Sequence, residues 1–236
     1  MCGRYTLTTG DHQQLAQRFG AMMPSEGGLE RFNVAPTEEA VAVVNGKTGE
    51  REAHLLRWSL VPGYAKSLKG GPPMFNARSE TITTKAPFKA LAAKPRNRCL
   101  IVADGFYEWL RPEDKKAPRV PFRFTVDDGA PFAFAGLWTW SKPEGEWLAS
   151  CTILTTTPNP LVARLHDRMP VILPGPEAED AWLSDDLGPD DVLALCAPLD
   201  ADRMQVAPAN PRMNKSGLED EGPDLLVAPE VPLPAP

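Results

Sequence analysis

Apolar residues near the N-terminus are spaced as on one face of a helix. Leu15 and Phe19 lie four residues apart, which places both side chains on the same side of a helical turn. Gly20 follows, and glycine is the residue that most often ends a helix in the left-handed conformation. The spacing therefore predicts a short helix over residues 11–19.

From about residue 97 the pattern changes to short segments rich in Val, Ile, Phe and Thr, the composition of β-strands. Alternation is clearest at Phe122, Phe124 and Val126, as expected for a half-buried strand. Prolines near the starts of other segments predict short helices. The predicted strands are 99–103, 120–126, 131–138, 151–157 and 171–173, and the predicted helices are 160–165, 176–183 and 189–197.

These elements predict one mixed α+β domain built on a curved, mainly antiparallel sheet. The sequence has no internal repeat, no alternation of strands and helices, and no glycine-rich phosphate loop. We place the domain at residues 1–226 and expect a flexible, proline-rich tail at 227–236.

Composition narrows the class of protein. Hydrophobic residues make up 42% and charged residues 24% of the chain, which is typical of a globular domain, and no apolar run is long enough for a membrane span. The four cysteines have neither disulfide nor zinc spacing, so we expect reduced thiols, a cytoplasmic location, no metal and no cofactor. A net charge of −6 favours a small-molecule enzyme over a generally basic nucleic-acid binder, but allows a local cationic groove.

Cys2 has the clearest chemical potential. Removal of Met1 would leave Cys2 with an α-amine of pKa about 7.7–8.0 beside a thiol of pKa about 8.5. Such a pair can condense with an aldehyde to an imine, and the thiol can then close a five-membered thiazolidine ring within the same molecule. The alternative is that Cys2 is only a small terminal residue, and position by itself favours that alternative.

Three polar motifs accompany Cys2, each with a structural alternative. Asn76 and Arg78 follow a glycine- and proline-rich loop and can hydrogen-bond a sugar or a phosphate, or only close that loop. Glu108 lies among aromatic residues, where burial would suit it to proton transfer, or else points to solvent. His166 and Arg168 offer a proton-exchanging group and a second phosphate-sized cation, although a lone histidine is more often structural.

The remaining cysteines, tryptophans and histidines favour structural roles. We expect the three other cysteines and three of the tryptophans in the core, and we leave Trp58 and Trp109 open between core and site. His12 and His54 have no comparable polar neighbours and are interpreted as structural. The residues expected in the core are Cys99, Cys151, Cys196, Trp138, Trp140 and Trp182.

Taken in order, six motifs resemble the SRAP (SOS response-associated peptidase) family, which is associated with abasic-site processing. They are MCGRY at 1–5, RFNVAPT at 31–37, RWSLVP at 57–62, NARSE at 76–80, RCLIVADGFYEW at 98–109 and LHDRMPVIL at 165–173. Their joint occurrence is very specific and spans most of the chain to about residue 218. One departure is Tyr64, which stands where many members carry tryptophan.

The resemblance implies a barrel-like β core and a groove that binds single-stranded DNA containing an abasic site. It implies that Cys2 forms a covalent thiazolidine crosslink to the abasic sugar, with autoproteolytic removal of Met1 and weak lyase chemistry as associated activities. The expected partner is DNA, with no membrane and a monomeric protein. The implied catalytic residues are Cys2, Asn76, Glu108 and His166, and the implied DNA contacts are Arg4, Arg78, Arg168, Trp109 and Tyr64.

Two other classes of function remain open. An N-terminal-nucleophile cysteine peptidase or amidohydrolase would use Cys2 and His166 with Glu108 or Asn76, and would cleave amide substrates. A non-catalytic single-strand binding module would bind intact and abasic strands equally and would not depend on removal of Met1.

Overall fold

A computed structural model describes residues 2–25, 28–69, 71–110, 119–219, 221–228, 231 and 233. Four α-helices lie within these residues: α1 (His12–Phe19), α2 (Phe88–Ala92), α3 (Pro176–Leu183) and α4 (Pro189–Ala194). The strands are β1 (Tyr5–Leu7), β2 (Ala21–Met22), β3 (Arg31–Val34), β4 (Glu39–Asn45), β5 (Arg51–Trp58), β6 (Asn76–Arg78), β7 (Arg98–Ala103), β8 (Gly105–Leu110), β9 (Val120–Val126), β10 (Phe132–Ser141), β11 (Leu148–Thr156), β12 (Met169–Pro170) and β13 (Met204–Pro208).

Five strands form a closed barrel. The order β11-β10-β7-β4-β5 is antiparallel throughout, and a parallel pairing of β11 with β5 closes the ring at Cys151 and Trp58. Beyond this pairing β6 continues along the same edge of β11, where Asn76 lies opposite Ile153 and Arg78 opposite Thr155. The predicted barrel-like α+β core is confirmed.

A second antiparallel sheet, in the order β13-β9-β8-β1-β3, carries the N-terminal strand at an inner position. Tyr5 of β1 pairs with Val34 on one side and with Phe106 on the other. Because β1 is hydrogen-bonded along both edges, the residues just before it have a fixed place against β8.

Two large apolar clusters and a smaller one around Tyr107 fill the described part of the molecule. The inner cluster contains Cys2, Trp58 and Phe134 and joins the barrel strands to the second sheet. The outer cluster contains Leu15 and Trp182 and packs α1 and α3 against the other side of the barrel strands. Successive residues of a strand point to opposite faces, so a barrel covered on both faces needs apolar residues at consecutive positions.

Most of the predicted helices and late strands agree with the structure. The strand predicted at 171–173 is wrong, because β12 covers Met169–Pro170 and Ile172 makes only an isolated bridge with Phe134. Helix α1 begins after Asp11, whose side chain accepts hydrogen bonds from two backbone N–H groups of the first turn, and ends at the left-handed Gly20. Strand β9 and helix α3 have the predicted bounds, and α4 is shorter than predicted. Of the helix predicted at 160–165, only the 3-10 turn Val162–Arg164 forms.

The strands before residue 97 were not predicted. Strand β4 has buried residues at five consecutive positions, and the alternation that identifies a half-buried strand is absent there. Most of the tail predicted at 227–236 lies outside the described residues, and its boundary stays a prediction. Val231 and Leu233, which are described, pack against the inner cluster.

None of the helices in the described part of the chain combines the length and the apolar character that crossing a membrane requires.

Candidate active site around Cys2

A buried polar network holds the N-terminal strand. Both carboxylate oxygens of Asp104 accept hydrogen bonds: Oδ1 from Thr6 Oγ1 at 2.6 Å and Oδ2 from Thr8 Oγ1 at 2.6 Å. Arg123 donates to Oδ1 of the same carboxylate at 2.9 Å. Gly105 is required beside this network, because a Cβ there would lie 2.6 Å from Arg123 Nε. Asp104 therefore anchors β1.

Cys2 lies at the bottom of the site, with a completely buried side chain. Asn76 reaches it from β6, donating from Nδ2 to the Cys2 backbone carbonyl at 2.7 Å. Asn76 Oδ1 is buried and has no hydrogen-bond partner within the described part of the chain. A buried amide oxygen without a donor is costly, so this oxygen is available to an amine or hydroxyl group that enters the site.

The Cys2 thiol is held in its neutral form. Burial raises the pKa of this thiol well above its ordinary value, and the nearby Glu108 carboxylate raises it further. The thiol donates a weak hydrogen bond to the Arg4 carbonyl, with an Sγ to oxygen distance of 3.7 Å. Glu108 is itself buried, on the face of β8 that carries Phe106. The sequence-based expectation of a buried acid beside Cys2 agrees with this arrangement.

His166 lies at the end of the 3-10 turn Val162–Arg164, with its side chain largely covered. Its Nδ1 is 3.0 Å from the Arg168 backbone nitrogen and 2.9 Å from Asp167 Oδ1. In a neutral ring, Nδ1 cannot both accept a hydrogen bond from the Arg168 N–H and donate one to the Asp167 carboxylate. We assign acceptance from the backbone N–H, because its position is fixed and the Asp167 carboxylate is largely exposed. The neutral ring then carries its proton on Nε2.

Two of the predicted DNA contacts lie at one end of β11. Arg78 is exposed on β6, opposite Thr155. Arg168 forms a two-pronged ion pair with Glu80, at 2.6 and 3.0 Å, and also donates to the Thr155 carbonyl at 2.6 Å. These hydrogen bonds lower the pKa of Glu80. No local pattern in the chain indicates that Glu80 pairs with Arg168.

Arg4, the third predicted cation, is half-buried above Cys2. It donates to the Gly3 carbonyl at 2.8 Å, and its Nε has no hydrogen-bond partner among the residues whose structure is described. Burial lowers the pKa of Arg4, and the nearby Glu38 acts in the opposite direction. An arginine remains charged in spite of such a shift, so Arg4 adds positive charge to the site.

The two aromatic candidates lie in different environments. Trp109 is two residues from Tyr107 on the face of β8 opposite to Glu108, and its Nε1 donates to Asn214 Oδ1 at 2.6 Å. The structure thus does not bring Trp109 into contact with the Cys2 pocket. Tyr64 is 73% exposed on the loop between β5 and β6.

The core prediction for the tryptophans is partly wrong. Trp182 is buried as expected, and Trp58 proves to be buried as well, donating to the Phe75 carbonyl at 2.8 Å. Trp138 is only half-buried, and Trp140 is 54% exposed because β10 extends past the end of the barrel. The cysteines 99, 151 and 196 are buried, as predicted.

The arrangement places the buried Cys2 thiol near the buried Glu108 carboxylate, with the Asn76 amide bound to the Cys2 backbone carbonyl. This combination suits a reaction with a carbonyl carbon. Across the described residues, no group of three or more His, Cys, Asp and Glu side chains is placed to hold a metal ion.

Comparisons with known proteins agree on one family. Residues 1–216 match the sequence profile described as SOS response associated peptidase (SRAP). Abasic site processing protein YoqW of Bacillus subtilis is 38% identical over 231 residues, covering 96% of this chain and 99% of YoqW. Abasic site processing protein YoaM of the same organism is 42% identical over 215 residues, covering 87% and 89%. A crystal structure from Bacteroides thetaiotaomicron has the same fold, with a TM-score of 0.81 at 23% identity, covering 95% and 98% of the two chains.

Proposed function

Because this chain belongs to the SOS response associated peptidase (SRAP) family, we propose that it forms a covalent crosslink between Cys2 and an abasic site in single-stranded DNA. Its curated relatives YoqW and YoaM are named abasic site processing proteins. The observation that carries the proposal is the contact of Asn76 with the Cys2 carbonyl, beside a buried Glu108. An abasic sugar supplies the aldehyde that this site is equipped to capture.

The reaction begins at the α-amine of Cys2. In the chain that retains Met1 this nitrogen is part of a peptide bond, so hydrolysis of that bond must come first. A free α-amine ordinarily titrates near neutral pH, whereas burial and Glu108 raise the pKa of the thiol and keep it protonated. The amine is therefore the first nucleophile, and the thiol reacts second.

Proton transfer in each step can be assigned to a side chain. His166 donates from Nε2 to the ring oxygen of the abasic sugar as the hemiacetal hydroxyl loses its proton, and the aldehyde forms. The amine adds to this aldehyde, and Glu108 transfers protons as the carbinolamine loses water to give the imine. Asn76 Oδ1 accepts a hydrogen bond from the amine or a sugar hydroxyl and holds it in line.

Ring closure completes the adduct. The thiol sulfur adds to the imine carbon, and its proton passes to the imine nitrogen, with Glu108 as the acceptor in between. The net change from aldehyde and aminothiol to thiazolidine is the loss of one water. If the reaction stops at the imine, β-elimination of the neighbouring phosphate can follow, so weak lyase activity accompanies the crosslink.

Binding of the flanking DNA would use the cations at the end of β11. Arg78 is exposed and ready for a phosphate, while Arg168 must share its guanidinium with Glu80. Arg4 would neutralise charge next to the lesion, and Tyr64 would stack on a base. Such contacts need no base-edge hydrogen bonds, so the proposed binding tolerates any sequence.

A thiolate peptidase is less well supported by the same geometry. Cysteine peptidases use a thiol whose pKa is lowered by a neighbouring cation, whereas the pKa of Cys2 is raised by burial and by a carboxylate. Met1 would be removed either by a single intramolecular cleavage or by a separate aminopeptidase. In neither case does this chain need to turn over repeatedly as a peptidase.

The test compares Cys2→Ala with the matched variant Cys151→Ala, which removes another completely buried thiol of the inner cluster. Each protein, with Met1 removal verified by mass, is mixed with an oligonucleotide that carries one abasic site. Wild type and Cys151→Ala should give a heat-stable adduct with the mass of protein plus DNA minus one water. Cys2→Ala retains an α-amine, so it should give only an adduct that borohydride traps, together with more strand cleavage.

Two results would overturn the proposal. A heat-stable adduct from Cys2→Ala would show that a different nucleophile reacts. No adduct from fully processed wild type would remove the crosslinking function and bring forward the peptidase alternative, which turnover of amide substrates would then examine.

A further inference from the structure

Three exposed aromatic side chains gather at one end of the barrel. Tyr64, Trp140 and Trp147 are 73%, 54% and 68% exposed, and we call them the aromatic tip. Trp140 and Trp147 meet edge to face, with ring centroids 6.4 Å apart. Large aromatic side chains are rarely left this exposed in a group unless they bind something.

The aromatic tip is built from two segments that support each other. Trp140 ends β10, and Trp147 lies just before β11 in the same hairpin. The loop that carries Tyr64 is hydrogen-bonded to this hairpin, since the Glu144 backbone N–H donates to the Lys66 carbonyl at 2.8 Å. Ser67 Oγ fixes the Glu144 side chain at 2.8 Å. The tip is therefore an ordered surface.

A row of aromatic rings connects the tip to the inner cluster. Trp138 and Trp140 are two residues apart on β10, so both lie on the strand face that carries Phe134. Trp138 packs against the inner cluster that contains Cys2, and its ring centroid is 6.4 Å from that of Trp140. The tip is thus an outward continuation of the face on which the reactive residue lies.

Positions along β11 give the order of the parts. Trp140 pairs with Ala149 at the start of this strand, Asn76 lies opposite Ile153, and Arg78 lies opposite Thr155 at its end. Four residues of strand separate the level of Trp140 from that of Asn76, or about 13 Å. That distance equals about four stacked nucleotides at 3.4 Å each. Asn76 and Cys2 are therefore flanked by cations on one side and by aromatic rings on the other.

Charge at the tip fits a nucleic acid. Lys142 lies over the ring of Trp147 at 5.5 Å, and Lys66 and Lys69 are exposed on the neighbouring loop. The acidic side chains on the same hairpin are Glu144, held by Ser67, and Glu146. The two segments of the tip together carry these three lysines against two glutamates, in a chain of net charge −6. Bases stack on such rings whatever their identity, and lysines pair with the phosphates between them.

We infer that the aromatic tip is a stacking platform for one flank of the single strand that enters the Cys2 site. Bases on that flank stack on Trp140 and Trp147, while the opposite flank lies along Arg78 and Arg168. This inference rests on the proposed function for the position of the lesion, but the stacking itself does not require crosslinking. The protein then binds the strand in one direction only, because one flank of the lesion contacts aromatic rings and the other contacts arginines.

The test measures how tightly the protein binds intact oligonucleotides and how well it crosslinks to abasic ones. Three probes are used: a short one centred on the site, one extended only on the 5′ flank and one extended only on the 3′ flank. The double variant Trp140→Ala with Trp147→Ala should bind one of the extended probes about tenfold more weakly than wild type, and the other two equally well. Trp140→Phe with Trp147→Phe should recover most of the loss, because phenylalanine also stacks. Met22→Ala is the control, since Met22 is 85% exposed elsewhere on the surface.

The outcomes separate this inference from the proposed function. Equal binding of all three probes by the alanine variant and wild type would overturn the platform, even if crosslinking is normal. Equal weakening on all three probes would also overturn it, because the tryptophans would then support the pocket or the fold. A change of oligomeric state in the alanine variant, seen by size-exclusion chromatography, would assign the tip to contact between copies. If wild type fails to crosslink but one flank still depends on the tryptophans, the platform stands and the crosslinking proposal fails.

Discussion

Replacing Asn76 by alanine gives the sharpest view of how the reactive residue is held. Asn76 Nδ2 donates to the Cys2 carbonyl at 2.7 Å in a partly buried position. Without this donor the Cys2 carbonyl loses a hydrogen bond that water cannot easily replace, at a cost of about 1–3 kcal/mol. The same hydrogen bond holds Cys2 against β6. Its loss should therefore lower the population of molecules in which the Cys2 amine is held in this position by about 5–150-fold.

The assay is single-turnover crosslinking at saturating abasic DNA, with removal of Met1 verified in each protein. Asn45→Ala is the matched control, because Asn45 Nδ2 donates to the Leu183 carbonyl at the same 2.7 Å distance, and α3 is remote from Cys2. Both variants should lose stability, with a melting temperature lower by about 2–4 °C for each kcal/mol. Only Asn76→Ala should crosslink more slowly.

Asn76→Asp extends the test, because aspartate keeps the shape and an acceptor oxygen but cannot donate to the carbonyl. It should be at least as slow as Asn76→Ala. Crosslinking at the wild-type rate by either Asn76 variant, or equal slowing in Asn45→Ala, would refute the idea that this hydrogen bond positions the amine.

Three further predictions follow from the charges and caps of the structure. Glu108→Gln should lower the raised pKa of the Cys2 thiol, while burial keeps this pKa above its ordinary value. Iodoacetamide should therefore alkylate Cys2 faster at pH 8. Crosslinking should slow by about 10²–10⁴-fold if Glu108 transfers protons. Glu80→Gln should release Arg168 from its ion pair, raising the affinity for single strands at low salt and steepening the slope of log affinity against log salt by about 0.7; an unchanged slope would mean that Arg168 does not contact phosphate. Asp11→Ala should remove the two 3.0 Å capping hydrogen bonds of α1 and cost about 1 kcal/mol, visible as a lower melting temperature with unchanged crosslinking.

The proposed reactive residue, Cys2, lies near the start of the chain and is held in place by other parts of the fold. Terminal residues are usually poorly ordered unless other elements hold them. Here Asn76 binds the Cys2 carbonyl, and Thr6 and Thr8 bind Asp104, so the chain is held at Cys2 and again just after it. In the proposed reaction, this anchoring would hold the Cys2 amine in a defined geometry for an aldehyde.

Local signals in the amino-acid sequence are enough to predict several elements and the family. The spacing of Leu15 and Phe19 and the glycine that follows are signals contained within a few residues, and α1 forms where they predict. The same holds for β9, whose alternation depends only on its own two faces. The motifs that identify the SRAP family are likewise contiguous in the chain, which is why the family could be recognised before the fold was known.

Which elements meet depends on contacts between segments that are far apart in the chain. Strand β4 was missed because both its faces are buried, so its apolar residues do not alternate. The closing pair of β5 with β11 joins residues far apart in the chain, and no local pattern specifies such a partner. For the same reason Trp140 proved exposed, Trp109 faces away from Glu108, and Arg168 is paired with Glu80. The exposure of a side chain and the partner of a charge depend on packing between distant segments, and packing is fixed only when the barrel closes.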